Sequence, residues 1–232
     1  MRIALLFSGG KDSNLTLYYM LSQGFTVSCL LTVIPIASDS WMFHVINSKW
    51  TPLQAKAMDI PILVKETKGE KEIELEDLKD LIKKAMSLYK IEGLACGAIA
   101  SEYQRKRFEK LCDELNLKSY TPLWGKDPLL LLYELIKLGF KVMIVGIYAY
   151  GFKREHLGKI IDEDMIKTLK KLKERYAISP IGEGGEFETF VIDAPHYKYC
   201  IEITDYETYW ALDQGELIIR NARLNPKVYS IE

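Results

Sequence analysis

The most informative stretch of this chain is Ser8-Gly9-Gly10-Lys11-Asp12-Ser13. An apolar run at 3–7 precedes it, and an apolar-periodic segment that begins near Leu15 follows it. This order predicts a strand, a glycine turn and a helix, which places backbone N–H groups and the positive end of a helix dipole beside the turn. The glycines allow a close backbone approach, the serines add hydroxyl donors and the lysine adds a positive charge. The stretch therefore predicts a phosphate-binding loop.

Two familiar phosphate loops do not match. A Walker A loop requires Gly where Leu5 stands and Ser or Thr where Asp12 stands, and the three spaced glycines of a dinucleotide-binding loop are missing. The segment resembles the PP-loop of N-type ATP pyrophosphatases, Ser-Gly-Gly-x-Asp-Ser. In that family the loop holds the pyrophosphate that leaves ATP when a substrate is adenylated. The alternative is a plain glycine turn between a strand and a helix.

Composition indicates an ordinary soluble globular protein. The 232 residues are 48% hydrophobic and 27% charged, with a formal net charge of −1, so nucleic acid is not expected as a partner. The cysteines at 29, 96, 112 and 200 form no Cys-x-x-Cys pair, which predicts reduced thiols in a cytoplasmic protein. The apolar run at 3–7 is too short for a signal peptide or a membrane span, so no membrane association is expected.

Strand and helix patterns alternate in the first half of the chain. They predict strands at 3–7, 27–34, 61–64, 94–97 and 119–121, a helix with Thr51 as N-cap, a helix at 72–89, and a helix from Ser101 to about Leu115. Such alternation predicts an α/β fold, a parallel sheet with helices on both faces. Ligands bind beyond the carboxyl ends of such strands, here at 7–13, 32–40 and 97–104.

The second half predicts a smaller mixed α+β domain. Helices are expected at 127–137 and 162–176, and strands at 141–149, 189–193, 199–205 and 216–220. We expect a PP-loop ATP-binding domain at 1–124 and a substrate-binding domain at 125–232.

Three further stretches carry candidate chemistry. In residues 97–124 a helix is expected to start at Ser101, with Gln104, Arg105 and Arg107 in its first turns. An arginine there is suited to bind a carboxylate or a phosphate through two hydrogen bonds. The alternative is that these residues form a solvated basic face of the helix. Residues 182–189, Gly-Glu-Gly-Gly-Glu-Phe-Glu-Thr, suit a loop around a ligand, Mg²⁺ or an amine, or a flexible acidic turn. In residues 39–44, His44 is either a catalytic or a structural residue.

Together these stretches resemble the diphthine–ammonia ligase family of PP-loop ATPases. The resemblance is carried by residues 8–13, 42–44, 53–58, 97–124 and 182–189, in that order along the chain. The length fits the compact form of the family and implies the adenine-nucleotide hydrolase-like fold. Residues 39–41, Asp-Ser-Trp, depart from the more acidic, Tyr-containing sequence of the family.

The resemblance implies ATP-dependent amidation of diphthine on translation elongation factor 2 to diphthamide. An acyl-adenylate forms, pyrophosphate and AMP are released, and ammonia supplies the nitrogen, with Mg²⁺ accompanying ATP. No glutamine amidotransferase signature is visible, which favours free ammonia or ammonium. Two alternatives stay open: another PP-loop adenylating enzyme, acting in tRNA modification, and a non-enzymatic adenine-nucleotide-binding module.

The resemblance also implies roles for particular residues. Asp12 is a candidate Mg²⁺ ligand or, alternatively, orders the loop as a carboxylate at the start of the helix. The carboxylates of the acidic loop are candidates for the trimethylammonium group of diphthine or for ammonium and its deprotonation. The predicted ATP-binding residues are Ser8, Gly9, Gly10, Lys11, Asp12 and Ser13. The predicted catalytic or substrate-binding residues are His44, Ser101, Gln104, Arg105, Arg107, Glu183, Glu186, Glu188 and Thr189.

Overall fold

A computed structural model describes residues 1–35, 46–67 and 71–227. The chain divides into two compact units. The first comprises Met1–Ala55 and Ile60–Lys126, and the second comprises Lys56–Asp59 and Asp127–Glu232.

The first unit is built on a parallel sheet of five strands in the order β3-β2-β1-β4-β5. The strands are β1 (Arg2–Leu6), β2 (Thr26–Pro35), β3 (Ile62–Thr67), β4 (Gly93–Ala95) and β5 (Lys118–Tyr120). The helices are α1 (Lys11–Ser22), α2 (Thr51–Met58), α3 (Lys71–Tyr89) and α4 (Glu102–Glu114). The predicted parallel α/β fold is confirmed. The strand order reverses between β1 and β4, the place where ligands bind in such sheets.

Helices cover the sheet because its central strands are apolar on both faces. In β1, Ile3, Ala4 and Leu5 are fully buried, as expected of a parallel strand with helices on each side. Ala4 belongs to a core cluster with Leu81 of α3 and Leu111 of α4. Helix α1 contacts β1 and β2.

The second unit holds an antiparallel sheet of four strands in the order β7-β6-β9-β8. Its elements are α5 (Pro128–Lys137), β6 (Lys141–Ile147), α6 (Glu163–Tyr176), β7 (Phe187–Asp193), β8 (Tyr199–Ala211) and β9 (Gln214–Pro226). The side chain of Asp127 caps α5, with Pro128 in its first turn, and the side chain of Asp162 caps α6. The small α+β character expected of this half is confirmed.

Several element bounds differ from the sequence prediction. Strands β8 and β9 are 13 residues each, because they pair mainly with one another in a ribbon whose exposed positions lack an apolar alternation. The ion pairs Arg223–Glu202 and Arg220–Glu207 connect the two strands across that ribbon. Thr51 is the first residue of α2 rather than its N-cap, since a short 3₁₀ turn at Ser48–Trp50 precedes it. Strand β6 ends at Ile147, short of the predicted residue 149.

Candidate functional site

The loop between β1 and α1 has the backbone of an anion-binding turn. Gly9 has φ of +83°, and a Cβ there would lie 2.3 Å from Oε1 of Gln54, so only glycine fits this position. Gly10 is the N-cap of α1 and supplies no side-chain capping bond. The first turn of α1 therefore begins with backbone donors that a phosphate would satisfy.

Buried side chains hold the carbonyl groups of this loop. The side-chain amide of Asn14 donates to the carbonyls of Gly9 at 3.2 Å and Gly10 at 2.9 Å. The amide of Gln54 donates to the same Gly9 carbonyl at 2.9 Å, from 45 residues away. The hydroxyl of Thr32 donates to the carbonyl of Phe7 at 2.6 Å. These three donors bind carbonyl groups of the loop and fix its backbone. The sequence prediction placed Thr32 and Gln54 in segments of interest but did not predict that either residue, or Asn14, holds the phosphate-binding loop.

The two serines of the loop lie together at its entrance. The hydroxyls of Ser8 and Ser13 are 3.2 Å apart, and the Ser13 hydroxyl donates to the carbonyl of Gly10 at 3.1 Å. Both hydroxyls stand beside the N-terminus of α1, where they can turn toward a phosphate oxygen.

Lys11 and Asp12 form an ion pair inside the loop. The Lys11 ammonium lies 2.8 Å from a carboxylate oxygen of Asp12, and the Lys11 side chain is only 4% exposed. A bound phosphate would compete with Asp12 for this ammonium group. The pair thus holds the charge in place until an anion arrives.

The carboxyl end of β4 packs on the start of α1. A Cβ on Gly97 would lie 3.0 Å from the Asp12 carbonyl oxygen and 3.1 Å from the Ser13 nitrogen. Gly97 therefore permits the close approach of β4 to the phosphate-binding loop, which brings the 97–104 segment into the same neighbourhood as residues 8–13.

The first turns of α4 carry the predicted arginines in two different environments. Ser101 is the N-cap, and its hydroxyl accepts the backbone N–H of Gln104. Arg105 pairs with Glu102 at 3.3 Å and Glu109 at 3.1 Å, and its guanidinium lies over the ring of Trp124, 4.5 Å from the centroid.

Arg107 lies apart from Arg105. It contacts the hydroxyl of Tyr103 and lines a groove of about 280 Å³ with Leu75 of α3 and Leu111 of α4. The structure thus does not bring the two guanidinium groups together.

In the second unit, the glycine-rich acidic loop is closed by its own carboxylate. One oxygen of Glu186 accepts the backbone N–H of Ser179 at 2.7 Å and the other accepts that of Gly184 at 2.8 Å. Gly182 has φ of +75°, and a Cβ there would lie 2.8 Å from the carbonyl of Phe187. Glu183 in the same loop is half-buried.

Glu188 and Thr189 stand on strand β7 rather than in the loop. Glu188 pairs with Gly146 of β6, and Glu216 of β9 pairs with Gly146 from the other side. The hydroxyl of Tyr148 donates to Glu216 at 2.9 Å. Burial and the carboxylates of Glu216 and Glu188 raise the pKa of the Tyr148 hydroxyl above its ordinary range. The sequence prediction missed Tyr148 and Glu216, since neither lies in a recognisable motif.

Two predictions are not decided by this geometry. His44 and the rest of 39–44 lie outside the described residues. The expectation that residues 97–107 and 182–189 face one another across the nucleotide cleft stays a prediction.

All four cysteines are free thiols. Burial raises the pKa of Cys29, Cys96 and Cys112 to about 12, so these thiols are poor nucleophiles at neutral pH. Across residues 1–35, 46–67 and 71–227, no helix has both the length and the apolar character to cross a membrane.

Two family models match the chain in order. The diphthamide synthase N-terminal domain matches residues 1–119, and the diphthamide synthase C-terminal domain matches residues 127–224. The chain belongs to the diphthamide synthase family. The family predicted from the sequence is thereby confirmed.

Curated relatives of this diphthamide synthase family member carry the name diphthine–ammonia ligase. The Homo sapiens protein is 32% identical over 241 residues, which cover 96% of this chain and 86% of that protein. The Danio rerio protein is 35% identical, with 90% and 88% covered. The Schizosaccharomyces pombe protein is 35% identical over 89% of this chain, which spans 37% of the length of that longer relative.

A solved structure also resembles the chain. It is titled as a predicted subunit of tRNA methyltransferase from Methanocaldococcus jannaschii. It has a TM-score of 0.44 at 20% identity and covers 84% of this chain and 98% of its own.

Proposed function

We propose that this chain is an AMP-forming amide ligase that converts diphthine on translation elongation factor 2 to diphthamide, using ATP and ammonia. The observation that carries the proposal is the loop at residues 8–13. Its carbonyls are held by Asn14 and Gln54, and α1 starts at Gly10 without a side-chain cap. This geometry suits the phosphates of ATP, and the names of the relatives supply the substrate.

The proposed chemistry has two steps. A carboxylate oxygen of diphthine bonds to the α-phosphorus of ATP while the bond from that phosphorus to the bridging oxygen breaks, releasing pyrophosphate. The nitrogen of ammonia then attacks the acyl carbon, AMP leaves with the electron pair of the broken C–O bond, and the nitrogen loses a proton. The protein contributes mainly by positioning the carboxylate and by stabilising charge on the phosphates.

Residues of the loop have distinct proposed roles. Gly9, Gly10 and Ser13 hold the β- and γ-phosphates, with Ser8 at the entrance. Lys11 neutralises charge on the leaving pyrophosphate, for which it exchanges its contact with Asp12 at 2.8 Å for a phosphate oxygen.

Asp12 fits a magnesium ion that arrives with ATP. Mg²⁺ is usually held by one or two carboxylates together with substrate phosphates, and Asp12 is the carboxylate that residues 8–13 offer. The ion would supply further neutralisation of phosphate charge.

Other candidate residues are proposed for the acceptor substrate. Ser101 and Gln104 begin α4 next to the loop, and Arg105 or Arg107 contacts the α-phosphate or the carboxylate of diphthine. Glu183, Glu188 and Thr189 belong to the proposed substrate-binding domain at 125–232, and residues 1–124 form the proposed ATP-binding domain. Free thiols at all four cysteines support a cytoplasmic location, where elongation factor 2 acts.

The test is a product analysis with the full-length protein. We expect sustained release of AMP and pyrophosphate from ATP only when diphthine-bearing elongation factor 2 and ammonium are both present, with the amide detected by mass spectrometry of the modified histidine. ADP as the sole nucleotide product would contradict the proposal.

The same assay separates the alternatives. Turnover that requires tRNA would identify another PP-loop adenylating enzyme. Sulfur transfer by such an enzyme is not favoured by Cys29, Cys96 and Cys112, because burial raises the pKa of these thiols to about 12. Tight ATP binding without turnover on either substrate would identify a nucleotide-binding module.

A further inference from the structure

A row of carboxylates crosses the sheet of the second unit. Gly146 of β6 pairs with Glu188 of β7 on one side and with Glu216 of β9 on the other. Residues directly opposite in antiparallel strands project to the same face of the sheet. Gly146 has no side chain, so the two carboxylates flank an open position.

Aromatic residues surround one end of this row. A surface cavity of about 320 Å³ lies at the end of the β8–β9 hairpin and is lined by Tyr148, Tyr209, Trp210, Gly215 and Glu216 among others. None of the residues that line it, all of them in the described part of the chain, carries a positive charge. The cavity therefore combines aromatic surface with negative charge.

Hydrogen bonds hold these side chains in place. The Tyr148 hydroxyl donates to Glu216 at 2.9 Å, and the Tyr209 hydroxyl donates to Glu207 at 2.5 Å. The indole N–H of Trp210 donates to the carbonyl of Leu212 at 3.0 Å. Aromatic groups fixed in this way are preorganised for a ligand.

This chemistry selects one class of cation. Aromatic faces attract a cation through the ring quadrupole and are the recurrent partners of quaternary ammonium groups. Hard metal ions prefer shells of oxygen ligands, and a primary ammonium needs several acceptors for its N–H donors. A quaternary ammonium has apolar methyl groups and no donor, so it suits rings beside a single carboxylate.

We propose that this hairpin cavity, lined by Tyr148, Tyr209, Trp210 and Glu216, binds a quaternary ammonium group, the trimethylammonium of diphthine. The assignment to diphthine rests on the proposed function. It moves the cation site away from Glu186, whose two oxygens already accept backbone N–H groups of its own loop.

The first test measures binding of small probes to the full-length protein by NMR titration. Choline is compared with 3,3-dimethyl-1-butanol, a neutral probe of the same shape. We expect choline to bind about tenfold more tightly than the neutral probe, the size of a desolvated cation–π and charge contact. Equal affinities for the two probes would overturn the proposal.

Variants locate the site. We expect Glu216→Gln and Trp210→Leu each to weaken choline binding about tenfold, while Glu202→Gln, which removes a carboxylate from the other end of the β8–β9 ribbon, leaves it unchanged. Glu216→Gln keeps the side-chain volume, so the test stands even if Trp210→Leu does not fold. A Glu216→Gln protein that binds choline as Glu202→Gln does would overturn the proposal.

Amidation kinetics connect the cavity to the substrate. We expect Glu216→Gln to raise the KM for diphthine-bearing elongation factor 2 about tenfold while the dissociation constant of ATP stays unchanged. Active wild-type enzyme with an unaltered KM in Glu216→Gln would overturn the assignment to diphthine and leave the proposed function standing. Selective choline binding by a protein without any amidation activity would support the quaternary ammonium site and overturn the proposed function.

Discussion

Two glycine-rich loops of this molecule are stabilised by side-chain hydrogen bonds that run in opposite directions. In residues 8–13, side chains donate to carbonyls, with Asn14 and Gln54 both bonded to the carbonyl of Gly9. In residues 182–186, a side chain accepts from amides, since Glu186 takes the N–H groups of Ser179 and Gly184. The first loop leaves the N-terminus of α1 without a side-chain cap, whereas the second loop satisfies two of its backbone donors with its own carboxylate.

This contrast separates carboxylates that look alike in the sequence. Glu186 stabilises its own turn, whereas Glu188, two residues later, stands on β7 opposite Gly146 and raises the pKa of Tyr148. A glycine-rich acidic stretch therefore does not by itself indicate a cation site. The hydrogen bonds of each carboxylate decide whether it can accept a ligand.

The largest expected effect comes from a glycine in the first loop. Gly9→Ala combines a φ of +83° with a Cβ 2.3 Å from Oε1 of Gln54, so the loop must move. We expect ATP affinity to fall at least about a hundredfold, because strain and lost phosphate contacts add. Isothermal titration calorimetry measures the dissociation constant of ATP for the variant and the wild type.

Gly185→Ala is the matched control in the second loop. Gly185 has φ of +82°, and among the described residues nothing lies within 4 Å of the added Cβ. ATP affinity should stay within about threefold of the wild type, since the strain is local. An equal loss of ATP affinity in Gly9→Ala and Gly185→Ala would show that residues 8–13 have no special role in binding ATP.

Removal of the charge or the hydroxyl from the first loop should have the next largest effect. We expect Lys11→Ala to weaken ATP binding about thirtyfold and Ser13→Ala about fivefold, while both proteins stay folded. Lys126→Ala removes a lysine that contacts the ring and hydroxyl of Tyr19 in the same unit, and it should leave ATP affinity unchanged. Unchanged affinity in both loop variants, measured by calorimetry, would contradict the phosphate-binding role of residues 8–13.

The features of the fold that could be predicted from the sequence are those that depend on interactions between residues close together in the chain. The caps at Ser101, Asp127 and Asp162 are side-chain bonds to N–H groups two or three residues ahead, and each was visible as a residue type in front of a periodic segment. The strand–glycine turn–helix order of the phosphate loop was visible for the same reason.

The missed features depend on contacts between distant segments. Gln54 reaches Gly9 across 45 residues, and Tyr148 reaches Glu216 across 68. No periodicity or spacing marks such pairs, because the fold alone brings them together. The length of β8 and β9 was missed since cross-strand pairing, and not an apolar alternation, stabilises their outer halves.

The anchor behind the first loop should give an intermediate effect. Gln54 is fully buried, and Gln54→Leu removes the bond to the Gly9 carbonyl at 2.9 Å. We expect the free energy of unfolding to fall by about 1–3 kcal/mol and ATP affinity by about fivefold, because a buried carbonyl loses a donor. Gln23→Leu, at the exposed C-terminal end of α1, is the control and should change neither quantity. ATP affinity that stays at the wild-type value in Gln54→Leu would show that this anchor serves stability alone.

The smallest effect on activity is expected for Glu186→Gln. This substitution tests whether the carboxylate of the second loop, unlike that of Glu188 on β7, serves only the stability of the loop. Glu186→Gln leaves one oxygen for the N–H of Ser179 or Gly184 and turns an NH₂ group toward the other donor. The free energy of unfolding should therefore fall by about 1–3 kcal/mol. Amidation below the melting transition should stay within about threefold of the wild-type rate, because the carboxylate binds its own loop and not the substrate.

Glu188→Gln should slow amidation about tenfold, because its carboxylate stands in the row beside Tyr148 and Glu216. Thermal denaturation gives the melting transition of the Glu186→Gln and Glu188→Gln proteins. Amidation rates measured below that transition then show which of the two carboxylates serves the reaction. Slow amidation in a fully stable Glu186→Gln protein would mean that the acidic loop opens to release Glu186 for the substrate, and the contrast between the two loops would then hold only for the enzyme without substrate.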